Sequence, residues 1–437
     1  MTEQILIKNA IIVTMNPAMD VLHGDILIKH DKIVRVAENI PEKHAEQMDA
    51  AGFIVVPGLI QTHVHLCQAL FRNLADDLSL LEWLNDKILP FENNHTAESM
   101  RMSARLGLAE LIKSGTTTIM DMGTVNHQEM IFEELASSGI RAFAGKAMMD
   151  GNHFPSPMKE STGKSIEESL LLFKKWHNYD QGRIKYAFAP RFVLSCSHEL
   201  LTEAGRLARE HGTLLHTHAS ENIRETQLVQ QIFGMRNILV FDKLGLADGN
   251  LCLAHCIWTD EEEQELMRDK KIKVLHCPSA NLKLGSGIAP IPRYLETGVT
   301  VSIGADGAPC NNNMDVFQEM RLASLIQKPV HGPQAMPAEE TFKLATLNGA
   351  AALGLSDEIG SIEPGKSADL TFIGRDQVHS VPFENIYSKL VYSTPSSDVE
   401  HVMVRGKWLM KNRKLTTMDE NKLLADIKQY TSNSPFN

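Results

Sequence analysis

The chain is poor in cysteine, with six in 437 residues (Cys67, Cys196, Cys252, Cys256, Cys277, Cys310) and no Cys-x-x-Cys pair. That is too few to staple a chain this long, so reduced thiols in a cytoplasm, packed as small hydrophobes, are expected. No uninterrupted apolar run approaches the roughly 20 residues a spanning helix needs, and no basic-then-apolar leader follows Met1. Positive charge is not in excess either. Lys and Arg number 43 against 54 Asp and Glu, a net charge of −11, which argues against a broad cationic face for nucleic acid or anionic lipid. No solenoid repeat or low-complexity linker is present, and Ser393 to Ser397 and the tail after Ser432 read as short turns or frayed ends. What remains is ordinary globular usage, 43% hydrophobic and 22% charged, at a length that suits two or three structural units.

Both ends of the chain read as β structure. Short strand-like pieces at Ile5 to Ile7, Ala10 to Thr14, Ile26 to Lys29 and Ile33 to Val36 are separated by turn residues, and similar pieces return at Asp369 to Ile373, Leu390 to Tyr392 and Val399 to Arg405. Between them, apolar segments alternate with segments of helical period, as in α/β architecture. Eight strands are expected, at Val55 to His65, Thr116 to Asp121, Ile140 to Met148, Ile184 to Pro190, Thr213 to His218, Leu251 to His255, Ile272 to His276 and Val299 to Asp306. Helices are expected at Glu98 to Lys113, His127 to Ser138, Ser165 to Trp176, Glu199 to His211 and Asp260 to Asp269. Eight strand-then-helix units fit a (β/α)8 barrel with its active site at the C-terminal strand ends. An open dinucleotide-binding sheet is the alternative, but no Gly-x-Gly-x-x-Gly follows a first strand.

Those strand ends carry chemistry. His63 and His65, then Asp121, Arg191, His218, His255, His276 and Asp306 fall at or near them. Strand side chains alternate, so His63 and His65 point to one side, where imidazole and carboxylate suit a divalent ion such as Zn²⁺ or Fe²⁺. Alone, a His-x-His is more often a pair of core or surface histidines than a metal site.

In context the pattern is more specific. Pro57-Gly58-Leu59-Ile60-Gln61-Thr62-His63-Val64-His65 resembles the opening signature of the amidohydrolase superfamily. Leu215-His216-Thr217-His218-Ala219-Ser220-Glu221 resembles its fifth-strand histidine with the following proton-carrying glutamate. Leu253-Ala254-His255-Cys256 resembles its sixth strand, and Ile303-Gly304-Ala305-Asp306-Gly307-Ala308 its eighth. The resemblance implies a (β/α)8 barrel over residues 58–360, flanked by a small β-sandwich domain built from residues 1–57 and 361–437. It implies one divalent ion, with Zn²⁺ preferred over Fe²⁺, held by His63, His65, His218 and Asp306. Two-metal relatives are expected to place a bridging lysine at the end of strand four, whereas Lys185, the only lysine of that strand, starts it. Glu221, His255 and Asp306 are the implied proton carriers around a water whose pKa the metal lowers from about 15.7 toward 7. His216 and His276 are read as structural, and His95, His127, His177 and His211 as solvated.

The resemblance narrows to the aminohydrolase branch. Leu80-Leu81-Glu82-Trp83-Leu84, Leu89-Pro90-Phe91-Glu92 and Asn281 to Pro290 look like its adenosine-type members, where Glu92 would accept hydrogen bonds from a ribose diol. Gln68 and Arg191, the latter standing where a histidine is expected, look like guanine deaminases. The expected activity is release of ammonia from the 6-amino group of a 5′-modified adenosine, such as 5′-deoxyadenosine, methylthioadenosine or S-adenosylhomocysteine. Guanine deaminase or aminotriazine hydrolase is the alternative, and an inactive binding scaffold the reading from another class. The expected partner is a small purine nucleoside or base, with no nucleic acid or membrane, in a homo-oligomer.

Overall fold

The structure is a computed structural model, described for residues 4–154 and 156–432; the tail read as frayed lies outside the described residues. Eight parallel strands in chain order build a barrel. In the first half, Leu59–His65 pairs with Thr116–Asp121, that strand with Arg141–Ala144, and the third with Ile184–Tyr186. In the second half, Leu215–Ala219, Leu251–His255, Lys273–His276 and Thr300–Ile303 pair in order. The halves meet on one side through parallel bridges from Phe188 to Leu215 and Phe192 to His218. On the other side Asp306–Gly307, which prolongs strand eight, pairs with Val64 and His65.

Strand one is buried at every position, as a strand covered on both faces must be. Outer helices bury one face each: Ala97–Lys113 starts at a Thr96 cap that accepts from the Ser99 N–H, and Glu261–Asp269 at an Asp260 capping box. The six cysteines are buried free thiols. Among the described residues no helix is long and apolar enough to cross a membrane.

The chain ends share one nine-stranded sheet. Gln4–Val13, Val21–Lys29, Lys32–Ala37, Glu46–Asp49 and Phe53–Pro57 come from the start, and Leu370–Gly374, Val399–Val404, Lys407–Lys411 and Lys414–Leu415 from the end. The expected single strand Val55 to His65 is therefore two. Phe53–Pro57 pairs antiparallel with Leu370–Gly374, and only from Leu59 does the chain run in the barrel. Gly58 marks the crossing: a Cβ there would lie 2.2 Å from Thr117 Oγ1, so the Thr117 side chain fills the space that a side chain at 58 would need.

A second expectation also fails. Leu390 to Tyr392 is not a strand but part of the helical turn Lys389–Ser393, which buries Leu390 and Val391 while the Tyr392 hydroxyl meets Ser324 Oγ at 2.6 Å. A three-residue apolar run carries no period that separates helix from strand.

Candidate metal centre and active site

Strand one ends in His63 and His65, strand five in His218, strand six in His255 and strand eight runs on to Asp306, so the pairing registers bring these side chains to one end of the barrel. His63 Nε2 and His65 Nε2 lie 3.3 and 3.4 Å from Asp306 Oδ1. His65 Nε2 is 3.4 Å from His218 Nε2. His255 Nε2 stands 3.5 Å from Glu221 Oε2 and 3.9 Å from Asp306 Oδ2. His255 (φ 73°) and Asp306 (φ 62°) both hold left-handed backbone, a strained conformation that such sites retain when the surroundings fix it.

The far ring nitrogens explain the aim. His218 Nδ1 sits 2.7 Å from the Arg191 carbonyl, which can only accept, so Nδ1 carries the hydrogen and Nε2 a lone pair. His255 Nδ1 is held in the same way by Asn281 Oδ1 at 2.8 Å. His63 Nδ1 meets His216 Nε2 at 2.8 Å, which makes His216 the buried support expected of it. With these bonds made, the Nε2 atoms of His63 and His255 are buried and have no hydrogen-bond partner among the described residues.

Burial holds the imidazoles of His65 and His218 well below their ordinary pKa, and His63 below it, so they are neutral, the form that binds metal. Burial would raise the Asp306 carboxyl, but the close approach of His63 Nε2 and of the neighbouring imidazoles holds it well below the usual range. Among the described residues, two groups have ligand atoms close enough to hold one ion: His63, His65 and Asp306, and His63, His218 and His255. Clustered, buried, unpartnered nitrogen and carboxylate donors fit a borderline divalent ion.

Glu221 follows strand five, and burial lifts its carboxyl to about 7. A pocket opens beside it, walled by Leu80, Trp83, Leu84 and Phe192 and by the polar side chains of Gln68 and Arg191. Gln68, Glu92 and Arg191, expected separately as substrate contacts, are joined: Arg191 Nη1 and Nη2 donate to Glu92 at 2.7 and 3.0 Å, and Gln68 Nε2 donates to it at 2.8 Å.

Other strand-end residues do different work. Asp121 Oδ1 accepts the Leu66 N–H at 2.8 Å and fixes the turn after His65. His276 is buried, its pKa pressed to about 3 by burial, and it belongs to neither ligand group. His95 is not solvated: it is buried between Ser99 Oγ and the Cys67 carbonyl, at 2.8 and 2.7 Å, and so ties that turn to the helix Ala97–Lys113. His177 and His211 are half-buried around Phe173, and His127 is exposed. The role of Asn281 went unread, although it opens a segment quoted for its resemblance; an amide 26 residues after a strand-end histidine offers no local signal.

Comparison with known proteins agrees with this geometry. The family model described as "Amidohydrolase family" matches residues 54–409. A 5′-deoxyadenosine deaminase of Methanobrevibacter smithii is 40% identical over 97% of either chain. A 5-methylthioadenosine/S-adenosylhomocysteine deaminase of Acetivibrio thermocellus is 39% identical over 97% of this chain and 98% of the relative. The crystal structure of an adenosine deaminase from Xanthomonas campestris with bound zinc superposes with a TM-score of 0.92 at 29% identity, covering 98% of each chain. With the barrel closed, the strand-end imidazoles gathered and the match running through all of it, this chain belongs to the amidohydrolase family.

Proposed function

We propose that this protein is a metal-dependent hydrolytic deaminase that releases ammonia from the 6-amino group of a 5′-modified adenosine. The observation that carries the reading is the convergence of His63, His65, His218 and Asp306, with His255 and Glu221 beside them, at the floor of a pocket. The nature of the relatives, named as 5′-deoxyadenosine and 5-methylthioadenosine/S-adenosylhomocysteine deaminases, supports the substrate class. Residues 58–360 then form the catalytic unit, and residues 1–57 and 361–437, whose described strands share one sheet, its supporting β-sandwich domain.

His63, His65, His218 and Asp306 would hold the ion, Zn²⁺ in preference to Fe²⁺. Bound there, the ion supplies Lewis acidity that makes water a nucleophile at neutral pH. The protein's own groups divide the proton work. Asp306 faces the ligand histidines with Oδ1, which leaves Oδ2, on the His255 side, to take the water proton. His255, pinned through Nδ1, turns Nε2 toward the same space and orients the attacking oxygen. Glu221, whose raised pKa keeps a share of it protonated near neutrality, gives its proton to the ring nitrogen beside the attacked carbon. Attack forms a C–O bond; Asp306 then passes the water proton to the amino group, the new hydroxyl gives its proton to the Glu221 carboxylate, and the C–N bond breaks to leave ammonia and a ring carbonyl with both carboxyl groups restored.

Guanine is the second reading, favoured by Arg191 at the end of strand four and Gln68 in the pocket wall. Metal analysis followed by ammonia release over 5′-deoxyadenosine, methylthioadenosine, S-adenosylhomocysteine, adenosine and guanine tests both. Turnover of a nucleoside is expected. Turnover of guanine alone promotes the second reading, and inertness toward all five after zinc or iron loading ends the proposal.

A further inference from the structure

One wall of the pocket rests on a buried trio that the proton work leaves idle. Glu92, Gln68 and Arg191 are each at most 2% exposed, yet only Gln68 and Arg191 line the pocket; Glu92 stands behind them. Its carboxylate is already engaged. Oε1 accepts from Arg191 Nη2 and Gln68 Nε2, and Oε2 from Arg191 Nη1. Three of its roughly four acceptor sites are filled and the last is on Oε2, so a diol donating both hydroxyls would have to displace Arg191 or Gln68, and parting Arg191 from Glu92 would leave a buried cation and a buried anion unpaired.

The same bonds decide what the two lining residues offer. A carboxylate can only accept, so Gln68 must turn its NH₂ toward Glu92 and its carbonyl away. That Oε1 is buried without a partner among the described residues, and it lies against Gly307, where an added Cβ would come within 1.9 Å of it. Of the five N–H groups of a guanidinium, the end-on pairing with Glu92 uses two and leaves three. Arg191 is also fixed from its main chain, since its carbonyl takes the His218 Nδ1 hydrogen.

We propose that Glu92 is a positioning residue and not a sugar contact. It clamps Gln68 and Arg191 so that they present one acceptor and several donors to the edge of a heteroaromatic ring, and the pocket selects its substrate by the base, with the 2′-hydroxyl of a nucleoside adding little. This deepens the deaminase reading and rests on it: the acceptor takes an amino or ring N–H, and the donors take ring nitrogens or an exocyclic oxygen.

The test uses the metal-loaded full chain and the variants Glu92→Gln, Arg191→Gln and the double variant, with 5′-deoxyadenosine and 2′,5′-dideoxyadenosine as substrates. Wild type should handle the two within about 10-fold in kcat/KM, and Glu92→Gln should lower kcat by at least about 10-fold on both alike, with a smaller change in KM. The double variant should be no slower than Arg191→Gln, because the Arg191 arm of the clamp is already lost and the amide oxygen left at position 92 can still accept from Gln68 Nε2. A wild-type preference of about 100-fold for the 2′-hydroxyl that Glu92→Gln erases would overturn the inference, as would additive losses in the double variant. The melting midpoint gives a readout free of turnover. Each single variant should lower it, and the double variant should regain part of the loss; additive lowering counts against the clamp. If neither nucleoside is deaminated, the deaminase reading of nucleosides fails while the melting comparison still decides whether the clamp exists.

Discussion

Two buried arginines sit at opposite ends of the barrel and are treated in opposite ways. Arg141 opens strand three, at the end away from the site. Its Nε and Nη2 donate to Asp369 at 2.9 and 3.4 Å, Nη2 also to Ser367 Oγ at 3.0 Å, and Nη1 to Glu358 at 3.4 Å. Asp369 also accepts from Ser367 Oγ and the Arg405 N–H, so the cluster bolts the barrel floor to the terminal sheet with its polar atoms occupied. Arg191, at the mouth, has Glu92 on one edge of its guanidinium, and near it Gln68 Oε1, Trp83 Nε1, His63 Nε2 and His255 Nε2 are buried without hydrogen-bond partners among the described residues. A buried polar atom left unpaired costs about 1 to 3 kcal/mol. Where every partner is present the residues serve stability, and where partners are missing a ligand is expected to supply them.

The largest expected break in that contrast is Glu221→Gln, which keeps the shape of the mouth and removes a proton. Turnover should fall by about 10²- to 10⁴-fold with bound metal unchanged. Steady-state kinetics paired with metal content check it, and a variant within a few-fold of wild type would take Glu221 out of the chemistry.

Arg141→Ala addresses the other end. Removing one partner of a buried pair costs about 3 to 5 kcal/mol, so denaturant unfolding should shift by that much while the folded fraction keeps its KM. An equal loss of activity per folded molecule would mean that the two ends are not separable.

His216→Phe falls between them. It keeps a ring of similar bulk but cannot accept the His63 Nδ1 hydrogen, and loss of such support lowers metal affinity by about 10- to 100-fold. Competition with a chelator measures it, and unchanged affinity would leave His216 as packing alone.

The contrast also explains what could be read from sequence. The barrel was legible because strands buried on both faces read as short runs without charge in their interior, apolar in Leu251–His255 and β-branched in Thr116–Asp121, each ending on an ionisable side chain. The gathering of His63, His65, His218 and His255 at one end of the barrel was legible because a strand imposes a period of two and ends where its register ends. The joins were not. Gly58 separates two sheets inside one apolar run, a fact set by Thr117, 59 residues downstream and across the barrel wall. Likewise the supports are long-range: His216 reaches His63 and Asn281 reaches His255 only once the strands are laid side by side, and Glu92 meets Arg191 across 99 residues. Each of these is a single contact with no period to announce it.

The smallest expected effect concerns a carboxyl that belongs to the mouth yet has one oxygen satisfied and one not. Glu225 stands one turn after Glu221, in the helix Ile223–Phe233, and reaches the pocket wall; Oε1 accepts from Asn237 Nδ2 and Oε2 is buried without a partner. Burial, and to a lesser degree the charge of Glu221, raise its carboxyl from 4.5 to about 8, against the pull of Asn237. An acid whose folded pKa lies above its unfolded one binds more protons when folded, so stability falls as pH rises between about 4.5 and 8 and the penalty is complete above that window. Glu225→Gln replaces the acid with a neutral amide that can still accept from Asn237. Melting midpoints of the metal-loaded proteins should therefore diverge with pH, the variant matching wild type near pH 5 and melting a few degrees higher at pH 8.5. If the two curves stay parallel, Glu225 titrates alike folded and unfolded, and its free oxygen has found a partner in water as a surface carboxylate would.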